Sequence, residues 1–210
     1  MKFKMLGMAM VLALAGCASF PGEQVAETTL PTMSSYQQRP GVFVDFTFYQ
    51  GEAGSTKAVE VPQGRDMLKP QLEAALRDSG MFSRYTLDQF QKQPGDYTLK
   101  LSVYNSGSAG AAMVSGMITG FTLGIIPGSA KDEYTMTLQV LDEQGQAIKV
   151  GENQDSVRTW MGLVFIPMMA HTPADAVNDS FRRQFNALLK QLLDQQVLKY
   201  AQGRSLLMRG

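Results

Sequence analysis

Among 210 residues there is one cysteine, one histidine and one tryptophan. A single thiol makes no intramolecular disulfide, so the stability of the fold must come from burial. Cys17 and His171 stand alone in the chain, and no Cys/His cluster has metal-ligand spacing. Excess charge of either sign is missing too. The 19 Lys and Arg balance 19 Asp and Glu, without the clustered basic face that nucleic acid requires. Enzyme signatures are absent. Ser115-Gly116 lacks the flanking glycine of a nucleophile elbow, and His171 has no evident acidic partner. Gly116, Gly120, Gly124 and Gly128 are followed by neither the lysine of a phosphate loop nor the acidic ribose ligand of a dinucleotide fold. The expectation is a non-enzymatic protein with no catalytic residue, metal or cofactor. A carboxylate-only hydrolase acting on lipid or peptidoglycan is the enzyme class still open, and no residue pattern favours it.

What is present begins at the N-terminus. Lys2 and Lys4 precede an apolar stretch from Met5 to Leu14, too short to span a bilayer as a helix. Leu14-Ala15-Gly16-Cys17 closes it with small residues, as a secretory signal over residues 1–16 does. This tetrapeptide resembles the lipobox of bacterial lipoproteins. The resemblance implies cleavage before Cys17, a diacylglycerol thioether on its sulfur and a third acyl chain, such as palmitate, on its amine. Two or more acyl chains give stable attachment where one is marginal. Ala18 follows the cysteine in place of Asp, which by the same resemblance implies an outer-membrane anchor with the domain facing the periplasm. Cleavage would leave 210 minus 16, or 194, residues, enough for one domain with one sizeable core. Loss of Lys2 and Lys4 leaves 17 basic residues against 19 acidic.

Residues 17–40 are polar and broken by Pro21, Pro31 and Pro40, and read as an acylated cysteine followed by a flexible tether. As a coil, its 23 residues after Cys17 would span ~26 Å. A single α+β domain is expected over 41–200, with a tail over 201–210. Alternating apolar positions predict strands over Val42–Tyr49, Tyr97–Tyr104 and Glu133–Leu141, the last turning at Asp142–Gly145 into a partner from Gln146. That partner would continue past Gly151 toward Trp160. Helices are predicted over 66–79, starting as late as Lys69 because of Pro70, and from Thr172-Pro173-Ala174-Asp175 onward. Val177, Phe181, Phe185, Leu188 and Leu192 form the apolar stripe of the second helix. The order predicts a mostly antiparallel sheet with two main helices packed on one face.

No charge occurs between Lys100 and Lys131, and this 101–130 insert is glycine-rich. Ala112, Gly116, Gly120, Gly124 and Gly128 recur every fourth residue, which on a helix makes one stripe of small side chains. Three readings stand: a tightly packed element of the core, a segment that contacts or enters the bilayer, and a self-association stripe. Six apolar residues of this segment contribute only about −2 to −4 kcal/mol to insertion, so spanning alone is marginal. A second uncharged run, Trp160 to Ala170, reads either as a core strand or as part of an exposed apolar patch beside the first.

Leu72 to Phe82, a helix ending Ser79-Gly80-Met81-Phe82 before a short strand at Arg84–Leu87, resembles an element of periplasmic α/β lipoproteins. The element order is similar to that of curli-secretion-channel-like and lipopolysaccharide-assembly lipoproteins of Gram-negative bacteria. That resemblance implies location more than activity, and the expectation is an envelope assembly or maintenance factor working through protein partners, lipid contact or self-association. The alternative is an oligomeric secretion or transport accessory whose segment 108–128 inserts in the membrane, although its glycine repeat departs from the alternating pattern of the secretion channel's barrel strands.

Overall fold

The structure, a computed structural model, describes residues 16–33, 36–107, 122, 125–142 and 144–202. Its strands are β1 (Cys17–Pro21), β2 (Tyr36–Gln38), β3 (Gly41–Gln50), β4 (Val59–Glu60), β5 (Arg84–Thr86), β6 (Tyr97–Asn105), β7 (Gly128–Leu141), β8 (Ala147–Met161) and β9 (Ala201–Gln202). Among the described residues there are two α-helices, α1 (Pro62–Ser79) and α2 (Pro173–Asp194), and short 3₁₀ segments at Gln89–Gln91 and Leu163–Met168. Seven strands form one sheet in the order β1-β8-β7-β6-β3-β4, with β5 also beside β3. The architecture is α+β as expected. The sheet is mixed, because β3 runs parallel to β6 and β5 while the other pairs are antiparallel.

Period-two patterning decides the sheet's buried face. Val42, Val44, Phe46 and Phe48 of β3 point inward with Leu99, Leu101 and Val103 of β6 and Met136, Leu138 and Val140 of β7. Both helices cover that face. Leu68, Leu72 and Leu76 come from α1, and Phe181, Phe185, Leu188, Leu189 and Leu192 from α2. Phe46 meets Phe181 at a ring distance of 6.2 Å, tying sheet to helix at the centre. Thr172 caps α2 by accepting from the Asp175 amide, and its hydroxyl donates to the Asp175 carboxylate at 2.6 Å. Gly151 lies beneath α2. A Cβ there would stand 3.0 Å from Gln191 Oε1 and 3.1 Å from Leu188 Cδ2, so the missing side chain admits the helix. The other sheet face is polar, and neither α1 nor α2 covers it. Asp45, Lys100 and Gln139 lie in one register row, Thr47, Ser102 and Thr137 in the next, and Tyr49 stacks on Tyr104 at 4.9 Å.

Four expectations need correction. Helix α1 begins at Pro62, not at residue 66 or later, because Pro62 takes the first-turn position where its missing N–H costs nothing. Pro70 sits inside that helix on the exposed side, where the carbonyl it leaves unpaired faces water. Residues 17–40 are not a free tether. β1 pairs with the end of β8, β2 pairs with β9, and Met33 is buried in the core. The Trp160–Ala170 run is not a core strand either. β8 stops at Met161, and the 3₁₀ segment that follows leaves its apolar side chains exposed.

Phe185 is fully buried between α2 and the sheet. Phe185→Ala is expected to lower the free energy of unfolding by about 3–5 kcal/mol, read as a fall in the urea midpoint with an unchanged slope.

Candidate functional site

Beyond the end of β6, strands β7 and β8 continue as a ribbon. Gly128–Glu133 pairs with Ser156–Met161, and β1 adds a third strand on the outer edge. Six residues of extended chain reach about 20 Å. At the tip of this tongue the register aligns Cys17 with Met161 and Met161 with Gly128. Cys17, the expected lipid-attachment residue, is therefore the first residue of an edge strand, and its side chain is exposed.

The tip is apolar on all the segments that meet there. Ile125 and Ile126 lead into Gly128, while Val164, Ile166, Met168 and Met169 belong to the turn that follows β8. These six side chains are between 37% and 72% exposed. The turn passes close under the start of β1: a Cβ on Gly16 would meet the Ile166 backbone nitrogen at 2.6 Å. The Gly162 N–H donates to the Gly16 carbonyl at 2.9 Å, extending the β1–β8 ladder by one rung.

Inward from the tip the chemistry changes in order. Trp160, one residue in, stacks on Phe165 at 5.5 Å. Arg158, on the same strand face, lies over the Trp160 ring at 5.7 Å, and its register partner is Lys131. Lys131 also donates to Glu133 at 2.7 Å. Apolar tip, aromatic pair and basic row follow one another along a single ribbon.

Polar contacts hold β1 in place. The Ser19 N–H donates to the His171 carbonyl at 2.9 Å, and Ser19 Oγ lies 2.7 Å from Thr159 Oγ1. His171 is thus used through its backbone and through ring contact with Phe20 at 5.1 Å. Asp155 is completely buried under α2. It accepts from the backbone of Gln24 and Ser156, from Ser180 Oγ and from Arg183, which also reaches Glu23. A carboxylate so enclosed demands its partners, since removing one from such a pair commonly costs about 3–5 kcal/mol. The same carboxylate therefore locks the segment after β1 to both β8 and α2.

At the root of the tongue, Asn105 organises the point where the chain leaves β6. Its side chain accepts from the Gly107 amide and donates to the Tyr134 hydroxyl. Desolvation raises the Asp132 carboxyl above its ordinary value of 3.8, against the opposing hydrogen bond from Asn105. The Tyr134 hydroxyl is likewise pushed up by burial and then by the nearby Asp132 charge.

Of the residues singled out by sequence, Gly16, Cys17 and Gly128 converge at the tip. Gly128 is in a strand and does not continue a helical stripe. Leu14, Ala15, Ala112, Gly116, Gly120 and Gly124 lie outside the described residues, as does most of the 108–128 segment. Sequence reasoning missed Arg158 and Lys131 as a pair, because only the β7–β8 register brings them together. Among the described residues there is no group of three or more metal-ligating side chains, and no helix is long and apolar enough to cross a membrane.

No family model matches the chain, and no curated protein matches it. Solved structures with a similar course include a minor lipoprotein from Acinetobacter baumannii, 15% identical, covering 79% of this chain and 98% of that one, with a TM-score of 0.35. A dodecameric PelC variant from Paraburkholderia phytofirmans is 13% identical over 80% of this chain and 98% of that one, with a TM-score of 0.32. A candidate lipoprotein from Caulobacter crescentus is 15% identical over 72% of this chain and 90% of that one, with a TM-score of 0.32.

The Asp132 environment gives a pH test. A carboxyl raised in the folded state favours folding when protonated and loses that contribution as pH rises through its folded value. Asp132→Asn is therefore expected to be more stable than the parent at neutral pH, with the difference vanishing below about pH 3.8. Urea titrations of both proteins across pH measure it.

Proposed function

We propose that this chain is an outer-membrane lipoprotein, cleaved before Cys17 and anchored through it, that acts without catalysis as an envelope assembly or maintenance factor. The observation that carries the reading is the position of Cys17. A lipobox-like Leu14-Ala15-Gly16-Cys17 ends where the folded sheet begins, and the residue it marks is exposed at the apolar end of the ribbon. The anchor and the exposed apolar residues of the tip thus lie together. Periplasmic protein partners, or a second copy of the chain, would meet the rest of the molecule, where the polar sheet face offers its rows and the Tyr49–Tyr104 stack.

Triacylation fits the backbone at this point. An acyl group on the Cys17 amine forms an amide whose carbonyl takes the covalent position of the Gly16 carbonyl. The Gly162 N–H, which donates to Gly16 before cleavage, would then donate to the fatty-acyl carbonyl. A free amine would place an ammonium near that donor and offer it no acceptor.

Two measurements test this reading. The wild-type protein should fractionate with the outer membrane, and mass analysis should find three acyl chains on Cys17. Cys17→Ser should leave the membrane fraction or remain unprocessed. Unchanged sorting of that variant contradicts the proposal. In addition, protein from cells lacking the N-acylating step should lose one hydrogen bond, about 1 kcal/mol. That predicts a melting temperature about 2–4 °C below the triacylated form.

A further inference from the structure

We infer that the tip of the β1–β7–β8 ribbon is itself a membrane-docking surface, embedding its apolar residues among the lipids of a bilayer with anionic headgroups. The inference rests on the anchored-lipoprotein reading and adds to it an orientation and a lipid class. The lipid contacts it assigns are made by side chains other than Cys17.

The first reason is the vertical order of the residues. Ile125, Ile126, Val164 and Met168 form the apolar end, and no charged residue occurs from Thr159 to Ala170. Trp160 and Phe165 form the next level, one residue up the strands. Arg158 and Lys131 form the third, paired across β7 and β8. Three residues of strand separate that row from the tip, about 10 Å. Amphipathic elements that lie in the interface bury their apolar side by about 5–10 Å, with aromatic rings at headgroup depth and basic side chains beyond. The ribbon matches that profile along its length.

The second reason is charge complementarity. After cleavage the chain has a formal charge near minus two, from 17 basic and 19 acidic residues, so it has no general attraction to an anionic surface. The basic pair stands beside the apolar tip, where each cation near an anionic leaflet contributes favourably. Glu133, which holds Lys131, is farther from the tip than the pair itself.

The third reason is the absence of a spacer. β1 starts at Cys17 and pairs with β8 from that residue onward. Acyl chains on Cys17 leave the fold at the tip, so anchoring draws Val164, Ile166 and Met168 to the lipid boundary. A free tether of ~26 Å would have allowed the domain to stand clear. The paired strand does not.

Trp160 is the single tryptophan, so its emission reports the tip alone. The test uses the full mature protein, purified with its lipid and reconstituted into vesicles of phosphatidylethanolamine and phosphatidylglycerol containing lipids brominated high on the acyl chains. The expected result is blue-shifted, quenched Trp160 emission, with quenching lost in a Val164→Asp, Met168→Asp variant that still floats with the vesicles. Arg158→Glu should weaken quenching more in phosphatidylglycerol-containing vesicles than in phosphatidylcholine vesicles. Unquenched, water-like emission from wild-type protein that floats with the vesicles overturns docking while leaving the anchor intact. Mass analysis of Cys17 on the same sample decides the anchor separately: an unmodified Cys17 with Trp160 still quenched supports docking and refutes the lipoprotein reading.

Discussion

Five residue pairs between β1 and the end of β8 organise the end of the ribbon that carries Cys17. Cys17 to Pro21 lies antiparallel to Val157–Met161. That pairing buries Ala18 and Ser19, completes the outer edge of the sheet and aims the first residue of the expected mature chain at the tip of the ribbon. Without it, Cys17 would be attached by a coil and its position would say nothing about the orientation of the domain. With it, the proposed attachment residue has a fixed place in the fold.

The pairing is reinforced from both directions. On the outer side, the His171 carbonyl accepts from Ser19, so the turn entering α2 clasps the edge strand. On the inner side, Asp155 gathers the backbone of Gln24, the Ser180 hydroxyl and the Arg183 guanidinium at one buried carboxylate. A buried charge contributes little to net stability compared with apolar packing, but its geometry tolerates few alternatives. Here it registers three elements to one another: the segment after β1, strand β8 and helix α2. Apolar packing of Phe181, Phe185 and Leu188 then supplies the cohesion on which that registry sits.

The strongly periodic elements were legible in the sequence. β3, β6 and β7 follow from alternation, and α2 from its Thr172-Pro173 start and the Phe181–Leu192 stripe. The left-handed cap at Gly80, with φ of 60°, also follows from local chemistry, while the short strand after α1 followed from the resemblance to periplasmic lipoproteins. β1 was not legible for a physical reason. Its five residues include Pro21 and Ser19, and its partner lies about 140 residues away, so no local signal records the pairing. The prolines and polar residues that suggest a coil are equally compatible with a short edge strand. Pro62 hid the start of α1, because Val61 offers no capping side chain. At the site, Cys17 and the apolar character of 160–170 were readable. A run of that length does not say whether it is buried or exposed, and the basic row beside it required the β7–β8 register.

The account depends on β1 being formed in the mature protein. Native-state hydrogen exchange at the amides that β1 turns toward β8, Ala18 and Phe20, is the most direct measurement. The account predicts exchange slowed to the level of the facing amides of β8, and faster exchange in a variant that breaks Asp155. Exchange at the rate of an unstructured peptide would contradict it, leaving Cys17 on a free tether and the ribbon tip without a fixed relation to the membrane.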